Sequence, residues 1–125
     1  MEYFWIGLGV LIVIWFIYRR WKMREIDITP QELEERLNKV PRPMLLDVRT
    51  QGEYNSGHLK KAKNIPAQSL RHKLSQLEKN KRQEIVVYCQ TGSRSASVAR
   101  LLDKLDFDVK HLKGGLVAYN RYKNS

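Results

Sequence analysis

The 125-residue chain has one cysteine, 13 acidic residues against 23 basic ones, and no charged residue at all between Tyr3 and Tyr18. A single cysteine excludes an internal disulfide and any Cys-rich zinc site. The shortage of acid leaves a formal charge of +10, a balance that raises the question of nucleic acid. There is no internal repeat, Gly/Ser linker or low-complexity tract, and the length allows one ordinary domain, not two. The charge is spread unevenly. Residues 1–18 carry only Glu2, residues 19–24 carry four cations and no anion, and residues 25–125 hold 19 basic and 12 acidic side chains. The last part keeps a net +7.

The uncharged stretch reads YFWIGLGVLIVIWFIY, apolar on every face of a helix. It lacks the polar stripe of a helix that lies on a soluble core. As a helix it is about 24 Å long, a little under a hydrocarbon core of about 30 Å. Met1 adds one more apolar residue, and Tyr3 and Trp5 at one end with Trp15, Phe16, Tyr18 and Trp21 at the other suit the headgroup zones. A cleaved signal peptide needs a positive start and a small-residue cleavage site, whereas here Glu2 comes first and no such site follows. A buried core helix accounts poorly for the aromatic ends and for Arg19-Arg20 directly behind them. We expect a transmembrane anchor over residues 1–20, a basic juxtamembrane linker over 21–25 and a folded domain over 26–125. Arg19, Arg20, Lys22 and Arg24 should stay on the cytoplasmic side, with the amino terminus outside. The lipid bilayer is then a partner, and the cell membrane the location.

Beyond the basic cluster, Thr29-Pro30-Gln31-Glu32 is a helix start with a possible capping box, and Leu33 and Leu37 carry the helix to about Lys39. Met44 to Val48 and Glu84 to Tyr88 are apolar runs bounded by turn signals, the pattern of buried strands. Ile26 to Ile28, Ala62 to Ile65 and Val109 to Leu112 predict shorter strands. Leu70, Leu74 and Leu77 outline one helical face, and Ala96, Ala99, Leu101, Leu102 and Leu105 another from about Ser93. Gly114-Gly115 opens a short helix through Tyr119. Strands alternating with helices predict an α/β fold with a mainly parallel sheet flanked by helices. Ligands in such folds bind beyond the carboxyl ends of strands, and Cys89 stands at that address.

The lone cysteine leads into a small-residue loop and then a helix: Cys89-Gln90-Thr91-Gly92-Ser93-Arg94-Ser95. Gly92 permits a tight turn. If the loop curls around the sulfur, the N–H groups of residues 90–95 form an anion nest at a helix N-terminus. Those groups and Arg94 favour thiolate over thiol. The bland alternative is an inert cysteine packed as a small hydrophobe. The glycine, the two serines and the arginine favour a nucleophile that needs no catalytic histidine.

The ordered set Leu46-Asp47-Val48-Arg49, Glu53-Tyr54, Gly57-His58-Leu59, Ala62, Asn64-Ile65-Pro66, the Cys89 to Ser95 loop and Leu112-Lys113-Gly114-Gly115 resembles the rhodanese-like domain across residues 26–119. The resemblance implies a rhodanese-like α/β fold, here preceded by one transmembrane helix. It implies a sulfurtransferase in which Cys89 carries a sulfane sulfur as a persulfide. Gln90, Thr91, Gly92, Ser93, Arg94 and Ser95 would hold the charge, and Asp47 and Arg49 would support the loop. The implied partners are a small sulfur-containing anion or persulfide donor and an acceptor such as cyanide, a thiol or a protein cysteine. No metal, cofactor or nucleic acid is expected. Gln90 stands where many members of the family have a basic residue, which lowers the expected affinity for dianionic thiosulfate. Tyr119 stands where a tryptophan is frequent.

His58 is expected to be structural, and His72 and His111, without metal-like spacing, to be solvated or satisfied locally. Glu53 is expected to serve a helix or loop hydrogen bond. Two other functions are weighed. Cysteine phosphatases of related fold have five residues between cysteine and arginine, whereas four separate Cys89 from Arg94. A non-enzymatic regulatory or binding module at the membrane is the alternative, and the retained cysteine argues against it. With no second thiol in the chain, a persulfide on Cys89 must pass to an outside acceptor.

Overall fold

The structure is a computed structural model that describes residues 2–125, with the side chains of Met23 and Arg24 excepted. Met1, and the Arg24 side chain expected in the basic cluster, therefore lie outside the described residues. The apolar segment forms a single helix, α1, over Glu2–Ile26. Its stretch Glu2–Lys22 is long and apolar enough to cross a membrane, and none of it is buried against the rest of the protein. That exposure sets it apart from a core helix. Residues 21–25, expected as a linker, continue the helix without a break. The helix ends where Ile26 enters the core and strand β1, Asp27–Ile28, begins.

Helix α2, Pro30–Leu37, starts at the expected residues: the Thr29 side chain accepts the Glu32 N–H at 3.1 Å and Pro30 fills the first turn. The Glu32 carboxylate accepts from the Thr29 hydroxyl and not from its N–H, so half of the expected capping box forms. It stops two residues before the expected Lys39. Strand β2 is Met44–Asp47, and α3, Gln51–Asn55, follows on a full capping box between Thr50 and Glu53. Strand β3 is Lys63–Asn64. The Leu70 to Leu77 face divides between a 3-10 segment, Ala67–Lys73, and a short helix α4, Leu74–Glu78. Then come β4, Ile85–Tyr88, α5, Ser93–Lys104, β5, Val109–Leu112, and α6, Gly115–Lys123. The last helix runs one turn past the expected Tyr119.

The five strands form one sheet in the order β1-β5-β4-β2-β3, every pair parallel. This is the expected α/β fold with a parallel sheet flanked by helices. Each strand's alternation divides its residues between two apolar layers. Ile85 and Val87 pack with Val98, Ala99 and Leu102 of α5. Val86 and Tyr88 pack with Leu33 of α2 and Leu116 and Tyr119 of α6. Continuing that alternation past the strand end puts Cys89 on the α5 side. Both faces of β4 are covered, which is why it reads as a continuous apolar run.

Candidate active site

Cys89 follows the central strand, and its side chain is 0% exposed. Gly92 takes a left-handed conformation (φ 106°) that ends the loop and caps α5, a geometry a side chain would strain. The turn brings three donors to Cys89 Sγ: the Gly92 N–H at 3.1 Å, the Ser95 N–H at 3.4 Å and the Ser95 hydroxyl at 3.3 Å. Burial pushes the thiol up. The Ser95 hydroxyl and the N–H groups of Ser95, Gly92 and Thr91 outweigh it and hold the thiol below its ordinary range. The site favours a thiolate mainly through hydrogen bonds to the charged form.

The loop is gripped from beneath by α6. The Leu116 and Val117 N–H groups donate to the Cys89 and Gln90 carbonyls at 2.9 and 3.1 Å. Gly115 lies so close that an added Cβ would sit 2.6 Å from both carbonyl oxygens. The double glycine is thus a condition for bringing α6 under the loop.

Arg94 lies half-buried at the start of α5, where its charge and that of Cys89 interact through space. Its guanidinium makes a bidentate pair with Glu53 of α3, at 2.7 and 3.0 Å. That pair, with the Thr50 cap, draws the Glu53 carboxyl down to about 2. Glu53 therefore does two jobs, capping α3 and tying it to α5. Thr91 and Ser93 are exposed at the rim.

Asp47 and Arg49 are both buried, at 0% and 4% exposure. The Arg49 guanidinium donates to both Asp47 oxygens, to the Gly57 carbonyl at 2.6 Å and to Gln90 Oε1 at 3.1 Å. The ion pair thus meets the loop through Gln90. Beside it a cleft of about 550 Å³ is lined by Arg49, Glu53, Gly57, His58, Gln90 and Asn120, among others. His58 stacks on Tyr54 with ring centroids 3.7 Å apart, and its Nδ1 pairs with the Tyr54 carbonyl. His72 is exposed.

His111 is different. Of the two expected states, solvated or satisfied locally, it takes the second, with partners brought beside it by the fold. It is 5% exposed, and its partners are Asp27, Gly92 and Ser95, at sequence separations of 84, 19 and 16. The only sequence signal was parity: His111 follows Val109 by two, so it faces the same layer. Among the described residues no group of three or more His, Cys, Asp or Glu is arranged to hold a metal ion.

A parallel α/β sheet whose central strand ends in a cysteine, inside a loop of N–H donors that opens a helix, defines a class of cysteine-loop α/β domains. Within that class the chain belongs to the rhodanese-like domain family, whose family model matches residues 29–122. It is 28% identical over 97 residues to a sulfurtransferase of Allochromatium vinosum, covering 77% of this chain and 89% of that one. It is 34% identical over 93 residues to a probable adenylyltransferase/sulfurtransferase of Mycobacterium tuberculosis, covering 74% of this chain and only 24% of the relative's length. Among solved structures, a rhodanese-like domain protein from Staphylococcus aureus superposes with a TM-score of 0.68 at 31% identity, over 74% of this chain and 89% of that one.

Proposed function

We propose that this protein is a membrane-anchored sulfurtransferase that carries a sulfane sulfur on Cys89. The observation that carries the reading is the set of donors converging on Cys89 Sγ from Gly92 and Ser95. Membership of a family with sulfurtransferases among the relatives supports it. Donors that stabilise a thiolate also stabilise the anionic persulfide that replaces it.

In the first half-reaction the Cys89 thiolate attacks the outer sulfur of a donor such as thiosulfate or a persulfide. A bond forms between the two sulfurs as the donor's own S–S bond breaks, and sulfite or a thiolate leaves. In the second, cyanide or an acceptor thiolate attacks the outer sulfur, and Cys89 departs as the thiolate it began as. The charge remains within the nest of residues 90–95 throughout. Asp47 and Arg49 keep Gln90, and so the loop, in position, and Arg94 braces it through Glu53. The cleft beside Gln90 admits the small anion. Residues 1–20 anchor the domain, and the cations behind them keep it cytoplasmic.

The experiment uses full-length protein in detergent, treated with several sulfane donors and read by intact mass. The chain should gain one sulfur atom on Cys89 and lose it to cyanide, and Cys89→Ser should gain none. If no donor loads the wild-type protein, the sulfurtransferase reading fails and a binding module takes its place.

A further inference from the structure

Four side chains from four parts of the chain form one line ending at the sulfur. The Asp27 carboxylate of β1 lies 2.9 Å from His111 Nδ1 of β5. His111 Nε2 lies 2.8 Å from the Ser95 hydroxyl of α5, and that hydroxyl lies 3.3 Å from Cys89 Sγ at the end of β4. Strand pairing brings them together. Asp27 and His111 are direct partners across β1 and β5, and His111 is aligned with Val87 across β5 and β4. Val87, two residues before Cys89, lies in the same apolar layer as Cys89 and Val109. The line therefore runs along one face of the sheet.

Hydrogen-bond capacity assigns the protons. Nδ1 faces a carboxylate oxygen, and Nε2 faces the Gly92 carbonyl at 3.1 Å as well as Ser95. Both of those oxygens accept only. A bare Nδ1 would set lone pair against lone pair at Asp27, so Nδ1 carries hydrogen; a bare Nε2 can accept from the Ser95 hydroxyl, but only a protonated Nε2 also serves the Gly92 carbonyl. With Nε2–H donating to Ser95 Oγ and Gly92, the Ser95 hydroxyl hydrogen has two acceptors left, the Gly92 carbonyl at 3.2 Å and Cys89 Sγ at 3.3 Å, and a charged sulfur is the stronger of the two.

Resting on the reading of Cys89 as the nucleophile, we infer that His111 is a positioning residue that generates and holds the Cys89 thiolate through Ser95. The Cys89 S–H proton passes to Ser95 Oγ as the Ser95 proton passes to His111 Nε2, leaving thiolate, neutral hydroxyl and imidazolium. Asp27 balances the imidazolium. The charge count is unchanged, and the proton stays on His111 while sulfur is loaded and delivered. His111 touches neither donor nor acceptor; it acts by keeping Ser95 turned toward the sulfur and by supplying the counter-charge. The charged groups bonded in this line are Asp27 from β1 and Cys89 after β4; α5 contributes the neutral Ser95 hydroxyl to the line and, outside it, the Arg94 guanidinium, which acts on Cys89 through space while paired with Glu53 of α3.

The test uses full-length protein in detergent. Thiolate ultraviolet absorbance and alkylation rate are followed against pH for wild type, His111→Gln, Asp27→Asn and Ser95→Ala, with circular dichroism confirming the fold. His111→Gln should raise the midpoint by a pH unit or more, slowing alkylation about tenfold on the rising limb, and should converge with wild type at alkaline pH. Asp27→Asn, at a partly exposed position, should shift the midpoint the same way by less. The double variant of His111 and Ser95 should be no slower than the worse single variant, because both break one line. Unmoved midpoints in folded variants, or effects that multiply, would overturn the inference. None of these readouts needs a sulfur donor. Normal persulfide loading with unmoved midpoints sinks the relay alone, and moved midpoints without loading sink the sulfurtransferase reading alone.

Discussion

Gln90 accepts a hydrogen bond from Arg49 at 3.1 Å and lines the cleft beside the loop, so it is the neutral side chain an incoming anion would meet first. Replacing it with a cation should strengthen the pull on a dianion by about the worth of one partly exposed ion pair. Gln90→Arg is expected to lower KM for thiosulfate about threefold, measured as thiocyanate formation; an unchanged KM would remove Gln90 from the account of donor choice. Glu53 offers a test of the brace. Its carboxyl is held down to about 2, first by Arg94 and then by the Thr50 cap. A depressed carboxylate stabilises the fold above its ordinary titration range, and that contribution fades as pH falls through the lowered value. Wild type should thus melt above Glu53→Gln at neutral pH, and the gap should close as pH falls from about 4.5 toward 2. A gap independent of pH would mean that the pair is not what Glu53 contributes. Solvent around this partly exposed pair keeps the effect modest.

Among the elements, α6 shows most clearly how packing serves the site. Its first N–H groups donate to the carbonyls of Cys89 and Gln90, which requires helix backbone to lie against loop backbone. Gly115 at φ 64° makes that approach possible. Gly115→Ala would press a methyl group onto two carbonyl oxygens in a left-handed conformation. It should cost about 2 kcal/mol or more of stability in urea titrations and reduce persulfide loading as the loop shifts. A neutral result would contradict the close approach. Helices α2 and α3 depend on local chemistry instead. Thr29 and Thr50 each accept an N–H from a glutamate three residues on, so both starts are encoded within a single turn. The Thr29 signal is legible directly. Helix α3 is only five residues long, too short for a periodic pattern to announce it.

At the scale of the whole molecule, the +10 charge divides between the cations in the last turns of α1 and the remaining domain. Helix α1 reaches the core at Ile26 and is pinned near its end by Lys22 and Asp103, 3.2 Å apart. With α1 in a bilayer, as proposed, the domain would be held close to the membrane surface. Full-length protein expressed in bacteria should stay with membranes through an alkaline carbonate wash and leave only with detergent, and external protease on spheroplasts should spare residues 25–125. Release by carbonate would point to a peripheral protein, and cleavage from outside would reverse the orientation.

The alternation of strand and helix, the long apolar helix α1, the Thr29 cap and the cysteine loop were all legible in the sequence because each is written within a few consecutive residues. Periodicity, turn glycines and caps are short-range signals, and they determine local structure and which side chains share a face. They do not say which strands become neighbours. The order β1-β5-β4-β2-β3 lays the first strand beside the last, and only that placement gives His111 its partner Asp27 across 84 residues and sets both on the face shared with Ser95 and Cys89. The same holds for Arg94, whose local sequence suggests a charge beside the sulfur and whose ion-pair partner, Glu53 of α3, comes from 41 residues away. Hydrogen-bond and ion-pair partners are chosen by distance in space, which strand order sets. The identity of the reactive sulfur was thus local information, and the company it keeps was decided by the sheet.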